Sequence, residues 1–300
     1  MDRREFLKLA AMAGAGLSAP SGLNLIAEAA EATRPPDLVV AHGASPEKIV
    51  MAALDALGGI KKFVSRGDVV VIKPNIGWDR TPEQAGNTNP EVVAAVVRLC
   101  FEAGAKKVRV FDRPVNDPRR CFVQSGIAPA AAALGANVDF VDDRKFKDMD
   151  INGTALKSWP LYTEIFEADK VINIPIAKHH GLAKLTMSMK NWMGVMGGQR
   201  RQIHQKLDES LVDLSMKIKP TLTILDAVRI LTANGPQGGN VADVKKLDTI
   251  IVGVDQVAID SYGATLFGMH GSDLGYVTLG HKLGMGQMDL NKVRIKKING

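Results

Sequence analysis

Between Lys170 and Leu207 the chain has no acidic residue, yet Lys170, Lys178, Lys184, Lys190, Arg200, Arg201 and Lys206 stand there with His179, His180 and His204. A run of like charge ordinarily makes a solvated face, and Lys170, Lys184 and Lys206 are read that way. Lys178 and His180 differ, because a spacing of two in an extended segment points both side chains to one side. Lys190-Asn191 precedes Gly194 and Gly197-Gly198, which allow backbone to approach a ligand closely. Ammonium and amide donors suit carboxylate or phosphate oxygens, and imidazole adds a further donor or a proton carrier. The expected chemistry is anion recognition coupled to proton transfer, with His180, His204 and Lys190 as the catalytic candidates. Lys73, Asn75, Lys178, Asn191, Asp112 and Asp226 are the ligand-binding candidates.

Other chemistries are weaker on the same residues. Met187, Met189, Met193 and Met196 crowd the basic stretch, and soft sulfur can bind copper(I). Methionine is also adaptable core filler, and the surrounding positive charge disfavours a cation. His179, His180 and His204 with a carboxylate such as Asp226 form an alternative transition-metal set, so the presence and identity of a metal stay open. Two cysteines, Cys100 and Cys121, cannot supply the four thiolates an iron–sulfur cluster usually takes. They read as two buried thiols or, in an exported protein, as one disulfide. Nucleic acid is not expected as a partner, since Trp192 alone interrupts the basic segment with a stacking ring.

These residues need a scaffold, and the chain alternates strand-like apolar runs with helical patterns. Strands are expected at Leu38 to Ala41, Val69 to Ile72, Val108 to Phe111, Val138 to Val141, Val171 to Ile174, Leu222 to Leu225 and Thr249 to Val254. Helices are expected from Ser45, with Pro46 at its first position, and from Asn89, with Pro90 first and the stripe Val92, Val93, Val96, Val97, Cys100 ending at Gly104. Further helices are expected near Ile127 to Leu134, Tyr162 to Ala168, Ser210 to Ile218 and Val257 to Phe267, and a small hairpin turns at Asn152-Gly153. The fold class is therefore α/β, a largely parallel sheet covered by helices on both faces, with a small hairpin insertion. Ligands of such sheets sit beyond the carboxyl ends of the strands. The residues there are Lys73, Asn75, Asp112, Asp142, Asn173, Asp226 and Asp255, of which Asp112 and Asp226 are expected first in a common cleft. Taken singly, Asp255 reads first as the cap of the helix after it, and Asp142 with Asp143 as a solvated turn.

The amino terminus supplies an address. Arg3-Arg4 in a short basic region, a Gly/Ala-rich run from Leu9 to Ala19, and small residues at Ala27, Ala29, Ala30 and Ala32 make a twin-arginine export signal over residues 1–32. The apolar run is too short for a bilayer span of roughly 20 residues, so no membrane span is expected after cleavage. The expected location is the periplasm or another exported space, with the twin-arginine translocase as a partner. That route carries folded proteins, often with a cofactor loaded beforehand. Residues 33–300 are expected to form a single α/β domain, or two interleaved lobes, and the chain carries a net charge of +6.

Lys73-Pro74-Asn75, Thr88-Asn89-Pro90-Glu91-Val92-Val93, Val171-Ile172-Asn173-Ile174-Pro175 with Lys178 and His180, and Leu185 through Asn191 with Gly194 occur in this order. His204, Asp226, Asn234-Gly235-Pro236 with Gly238, and Asp255 with Asp260 follow. As a set they resemble the domain-of-unknown-function 362 family from about Leu38 to the C-terminus. The resemblance implies the fold and the choice of residues, and no defined reaction. Many members of that family carry ferredoxin-type cysteine motifs, which this chain lacks, so the resemblance does not bring an iron–sulfur cluster with it. Two functions remain: an enzyme acting on a small anionic substrate, with a metal or phosphate-bearing cofactor as an option, or a non-catalytic exported ligand-binding or cofactor-maturation protein.

Overall fold

Strand Leu38–His42 (β1) begins the part of the chain that the computed structural model describes, residues 35–300. The expected signal, residues 1–32, lies outside it. Local chemistry then sets the first two helices. The Ser45 hydroxyl accepts the Lys48 N–H and opens helix Pro46–Ala56 (α1). Strand Val69–Pro74 (β2) leads to Asn89, whose side chain accepts the Glu91 N–H at 2.8 Å and opens helix Pro90–Glu102 (α2). In both helices proline occupies the first turn, where a missing N–H costs nothing. After α2, Gly104 takes a φ of 93°, the left-handed conformation that ends a helix cheaply only in glycine.

Next come strand Lys107–Val110 (β3), helices Pro118–Gln124 (α3) and Ile127–Ala132 (α4), and the two-residue strand Asn137–Val138 (β4). Strands Phe146–Asp150 (β5) and Ser158–Tyr162 (β6) form the expected hairpin, followed by the turn of helix Glu164–Glu167 (α5). Strands Lys170–Ile174 (β7), Ile176–His180 (β8) and Lys184–Thr186 (β9) lead into the one-turn helix Ser188–Asn191 (α6). Helix Leu207–Lys217 (α7), strands Leu222–Leu231 (β10) and Val244–Gly253 (β11), helices Gln256–Thr265 (α8) and Gly275–Lys282 (α9), and strand Ile295–Asn299 (β12) complete the order.

Among the described residues the main sheet has ten strands in the order β12-β1-β11-β10-β7-β2-β3-β4, with β8 beside β10 and β9 beside β8. The run from β10 through β7, β2 and β3 to β4 is parallel, and β11 is antiparallel to both its neighbours. Alternate residues of the same strands enter opposite cores, as a two-sided sheet requires. Val70 and Ile72 pack with Val93, Val97 and Ile49 of α2 and α1, whereas Val71 packs on the side of Met189, Leu211 and Ile259 from α6, α7 and α8. The sheet is thus mixed but largely parallel and covered on both faces.

Several expected boundaries move for tertiary reasons. The strand expected to end at Leu225 continues to Leu231, because β11 pairs along its whole length. The strand expected over Val138 to Val141 shrinks to Asn137–Val138 at the sheet edge. Asn152-Gly153 is part of a longer loop, clasped by the Asp213 carboxylate, which accepts the N–H groups of Thr154, Ala155 and Leu156. Cys100 and Cys121 are buried free thiols, so the disulfide reading gives way. No helix among the described residues is long and apolar enough to cross a membrane.

Candidate functional site

The residue after β3 is Phe111, and Asp112 follows it out of the sheet. Its Oδ2 accepts the Ile76 N–H at 2.7 Å, and its Oδ1 accepts the Arg113 N–H at 2.9 Å. The same Oδ1 lies 2.8 Å from the Nζ of Lys73, which reaches it from the neighbouring strand end of β2 and is fully buried. Burial pushes the Lys73 ammonium below its usual range, and Asp112 works against that shift. Gly194 packs directly on the pair, since a Cβ there would lie 1.8 Å from Asp112 Oδ1 and 2.5 Å from Lys73 Nζ.

Asn191, the last residue of α6, joins the strand ends. Its Oδ1 accepts from Lys73 Nζ at 2.9 Å and from Asn75 Nδ2 at 3.1 Å, while its Nδ2 donates to Lys73 O and Asn173 Oδ1. Asn75 Oδ1 in turn accepts from Lys178 Nζ at 3.1 Å, and Lys178 also donates to Gly86 O at 2.5 Å. Lys73 and Lys178 are therefore linked through two amides. Burial, then the charge of Lys190, drives the Lys178 amine far below the ordinary lysine value.

Lys190 is also buried, and among the described residues its Nζ has one hydrogen-bond partner, Met193 Sδ at 3.3 Å. Burial and then the Arg200 guanidinium push it down to about 7. Arg200 is held by carbonyl oxygens of Arg113, Met193 and Pro114, so it is fixed in place without a carboxylate partner among the described residues. His180 Nδ1 accepts the N–H groups of Leu182 and Ala183 at 3.1 and 3.0 Å. That leaves Nε2 as the protonated donor. Burial, then Lys190, lowers this imidazole to about 3, so it stays neutral. His204 stacks on it at 6.1 Å and donates from Nδ1 to Arg201 O at 2.9 Å, which leaves its own Nε2 as an acceptor. The stacked pair thus offers one donor and one acceptor.

These groups line a cleft of about 950 Å³ at the carboxyl edge of the parallel strands. It brings together Lys73, Asn75, Asp112, Lys178, His180, Lys190, Asn191 and His204. Arg113, Arg200 and Arg201 line it as well, and among the described lining residues Asp112 is the one carboxylate. Cis-linked Gly235 and Pro236 close one side.

Asp226 is not part of the cleft. It lies inside the lengthened β10, where its carboxylate accepts the Asn89 N–H at 2.7 Å and the Val228 N–H at 2.9 Å and so anchors the start of α2. Burial raises its carboxyl to about 6. The metal set that used Asp226 fails with it. His180 presents a protonated nitrogen, His179 accepts the Gly235 N–H on the other side of β8, and no group of three potential ligands occurs among the described residues. Met187, Met189 and Met196 are fully buried in the core, as filler would be, and Met193 alone reaches the cleft. Asp255 caps α8 through the Ala258 N–H, and Asp142 pairs with Arg144 in a solvated turn.

Asp260 carries no local sequence signal for a role at the site. Its carboxylate accepts the Ser188 and Met189 N–H groups at 2.7 and 3.0 Å and so holds the start of α6, the turn that carries Lys190 and Asn191. Its spacing from Asp255 was visible, but nothing local tied it to residues some seventy positions earlier.

The chain is similar to several known proteins. A thylakoid-associated protein of Synechocystis sp. is 32% identical over 216 residues, covering 69% of this chain. The chain spans 65% of that relative's length. Among solved structures, a Thermotoga maritima protein matches 75% of this chain and 60% of its own at 12% identity, with a TM-score of 0.45. The lactate racemase apoprotein of Thermoanaerobacterium thermosaccharolyticum matches 76% of this chain and 56% of its own at 10% identity, with the same TM-score of 0.45. Residues 70–265, which hold every lysine, histidine and asparagine of the cleft discussed above, match the model of a domain of unknown function, and the chain belongs to that family, DUF362.

Proposed function

We propose that the protein is an enzyme that binds a small anion in the Lys73–Lys178–Lys190 cleft and uses Lys190 as its proton carrier. The observation that carries this reading is Lys190 itself: a buried amine beside Arg200, with no carboxylate ion-paired to either among the described residues. A lysine that only held a ligand would work at its ordinary value of about 10.4. One poised at about 7 can take and return a proton at neutral pH, which is what general acid–base work requires. Substrate oxygens would meet donors from Lys178, Lys190 and the His180 Nε2–H. The neutral His204 Nε2 offers an acceptor for a hydroxyl. Lys73 is neutralised by Asp112 and serves to hold Asn191 and the strand ends in register.

The donor set suits an anionic substrate or a phosphate-bearing cofactor and does not suit a metal ion, because cations surround the single carboxylate. Thermal unfolding with phosphate and small mono- and dicarboxylates tests the reading. A ligand at about one hundred times its Kd stabilises by about 2.7 kcal/mol, on the order of 5 to 10 °C for a chain of this size. Lys190→Met should fold normally and weaken the responding anion by about thirtyfold or more. No response beyond that of chloride at equal ionic strength rejects the anion cleft.

Export through the twin-arginine route is part of the same proposal and rests on Arg3-Arg4 and the short apolar run behind them. Replacing both arginines by lysine should leave folded protein in the cytoplasm on fractionation. Normal delivery of that variant would remove the exported setting and leave the cleft reading untouched.

A further inference from the structure

Three lysines meet the cleft, and their surroundings divide their roles. Lys73 is ion-paired with Asp112. Lys178 directs its hydrogens at Asn75 Oδ1 and Gly86 O. Lys190 has neither an ion pair nor an oxygen acceptor among the described residues, only the thioether of Met193. The thioether accepts an N–H of the amine weakly and so orients it while the nitrogen lone pair stays free. The Nζ sits at the wall of a cavity large enough for a small molecule, in a stretch where Arg200 and Arg201 also face the space.

An amine so placed, desolvated and beside another cation, is the arrangement that activates lysine as a nucleophile toward carbonyl carbon. We infer that Lys190 forms an imine with the carbonyl group of a small anionic aldehyde or oxo acid whose carboxylate is held on the Arg200 side of the cleft. This deepens the proposed function and rests on it: the anion class becomes a carbonyl acid, and Lys190 acts through a covalent bond. The push of Lys190 down to about 7 supports the step, since roughly half the amine is then free at neutral pH, against about 0.04% for an ordinary lysine at about 10.4.

The step balances without an outside reagent. The Nζ lone pair forms the new C–N bond while the carbonyl π pair moves to oxygen. Both hydrogens of the amine end on that oxygen, the remaining C–O bond breaks, and water leaves as the C=N double bond forms. Lys178 and His180 line the same cleft as Lys190, so the Lys178 amine would carry the protons and the His180 Nε2–H would hold the oxygen as its charge grows.

Trapping tests the inference on the full chain. Glyoxylate or pyruvate with sodium cyanoborohydride should add one reduced adduct per protein by intact mass, and peptide mapping should place it on Lys190. Acetone, neutral and otherwise similar, should label at least about tenfold more slowly, because the carboxylate supplies the binding. Lys190→Met and Lys190→Arg should both lose the adduct. An adduct spread over surface lysines, or one that persists in Lys190→Met, overturns the inference, and so does no adduct at all. If anions stabilise the protein thermally but no adduct forms, the imine fails and the anion cleft stands. If neither occurs, both fail. Because the map locates the adduct in the native sequence, the result does not depend on a variant folding.

Discussion

Gly194 shows how little slack the site has at the scale of one residue. Its Cβ position is occupied by the Lys73–Asp112 pair, so Gly194→Ala must displace the pair, and we expect the two charges to part because the Asp112 carboxylate is tied to the Ile76 and Arg113 N–H groups. Separating a buried pair leaves uncompensated charge, a loss of about 3 to 5 kcal/mol. Urea unfolding of Gly194→Ala should show that loss, and an unchanged midpoint would mean the pair contributes nothing. Most of the site was legible at this scale. Lys73, Asn75 and Asp112 follow strands that can be read from their apolar runs, and Lys178 with His180 follows from a spacing of two. Asp226 was misread for a reason no local window holds: its strand runs on only because β11 pairs with it, and that carries the carboxylate back into the sheet. Arg113 and Arg200 were visible as charges, but their convergence depends on how the loop after α6 folds over the end of β3.

At the scale of elements, legibility follows the distance to the partner. Helices α1 and α2 were readable because their caps, Ser45 and Asn89, bind N–H groups within three residues. Strand β12 was not, since it pairs with β1 from the far end of the chain. Strands β8 and β9 escaped too, because the polar sequence Lys178 to Lys184 looks like a loop until β10 lies beside it. The hairpin insertion turns out to support the site. Leu161 of β6 bridges to Met196, Pro160 O accepts the Gly197 N–H at 2.7 Å, and the Phe146 ring lies against Arg113. The basic loop therefore rests on β5–β6 on one side and on α6, tied down by Asp260, on the other. Two anchors from distant elements let a segment poor in regular structure hold charged groups in fixed positions, which is what a pre-organised site needs.

At the scale of the whole molecule, this cluster of buried cations makes stability depend on pH. Lys190 at about 7 and Lys178, also far below normal, regain an ordinary value of about 10.4 on unfolding. Above pH 7 the unfolded chain thus binds more protons than the native one, so stability rises with pH, by at most about 1.4 kcal/mol per pH unit for each proton. Below pH 7 the terms conflict. Asp226 and Asp260, raised to about 6 and about 7, remove stability as pH climbs from about 4, while His180, lowered to about 3, adds it up to about 6.5. Above about 8.5 the buried Cys100 and Cys121, raised to about 12 and about 11, again remove stability because the unfolded thiols ionise first. The window in which the lysines dominate is therefore about pH 7 to 8.5. Denaturant titrations of the ligand-free protein across it should show stability increasing, and Lys190→Met should flatten the rise by up to one proton. Bound phosphate, which has no carbonyl to react, draws the lysines toward their charged form, so saturating it should flatten the rise as well, and its own affinity should fall as pH increases. A wild-type profile that is level or descending there, or a slope that Lys190→Met leaves unchanged, would mean that the cleft lysines keep their charge in the native protein, and the proton-carrier role of Lys190 would fall with them.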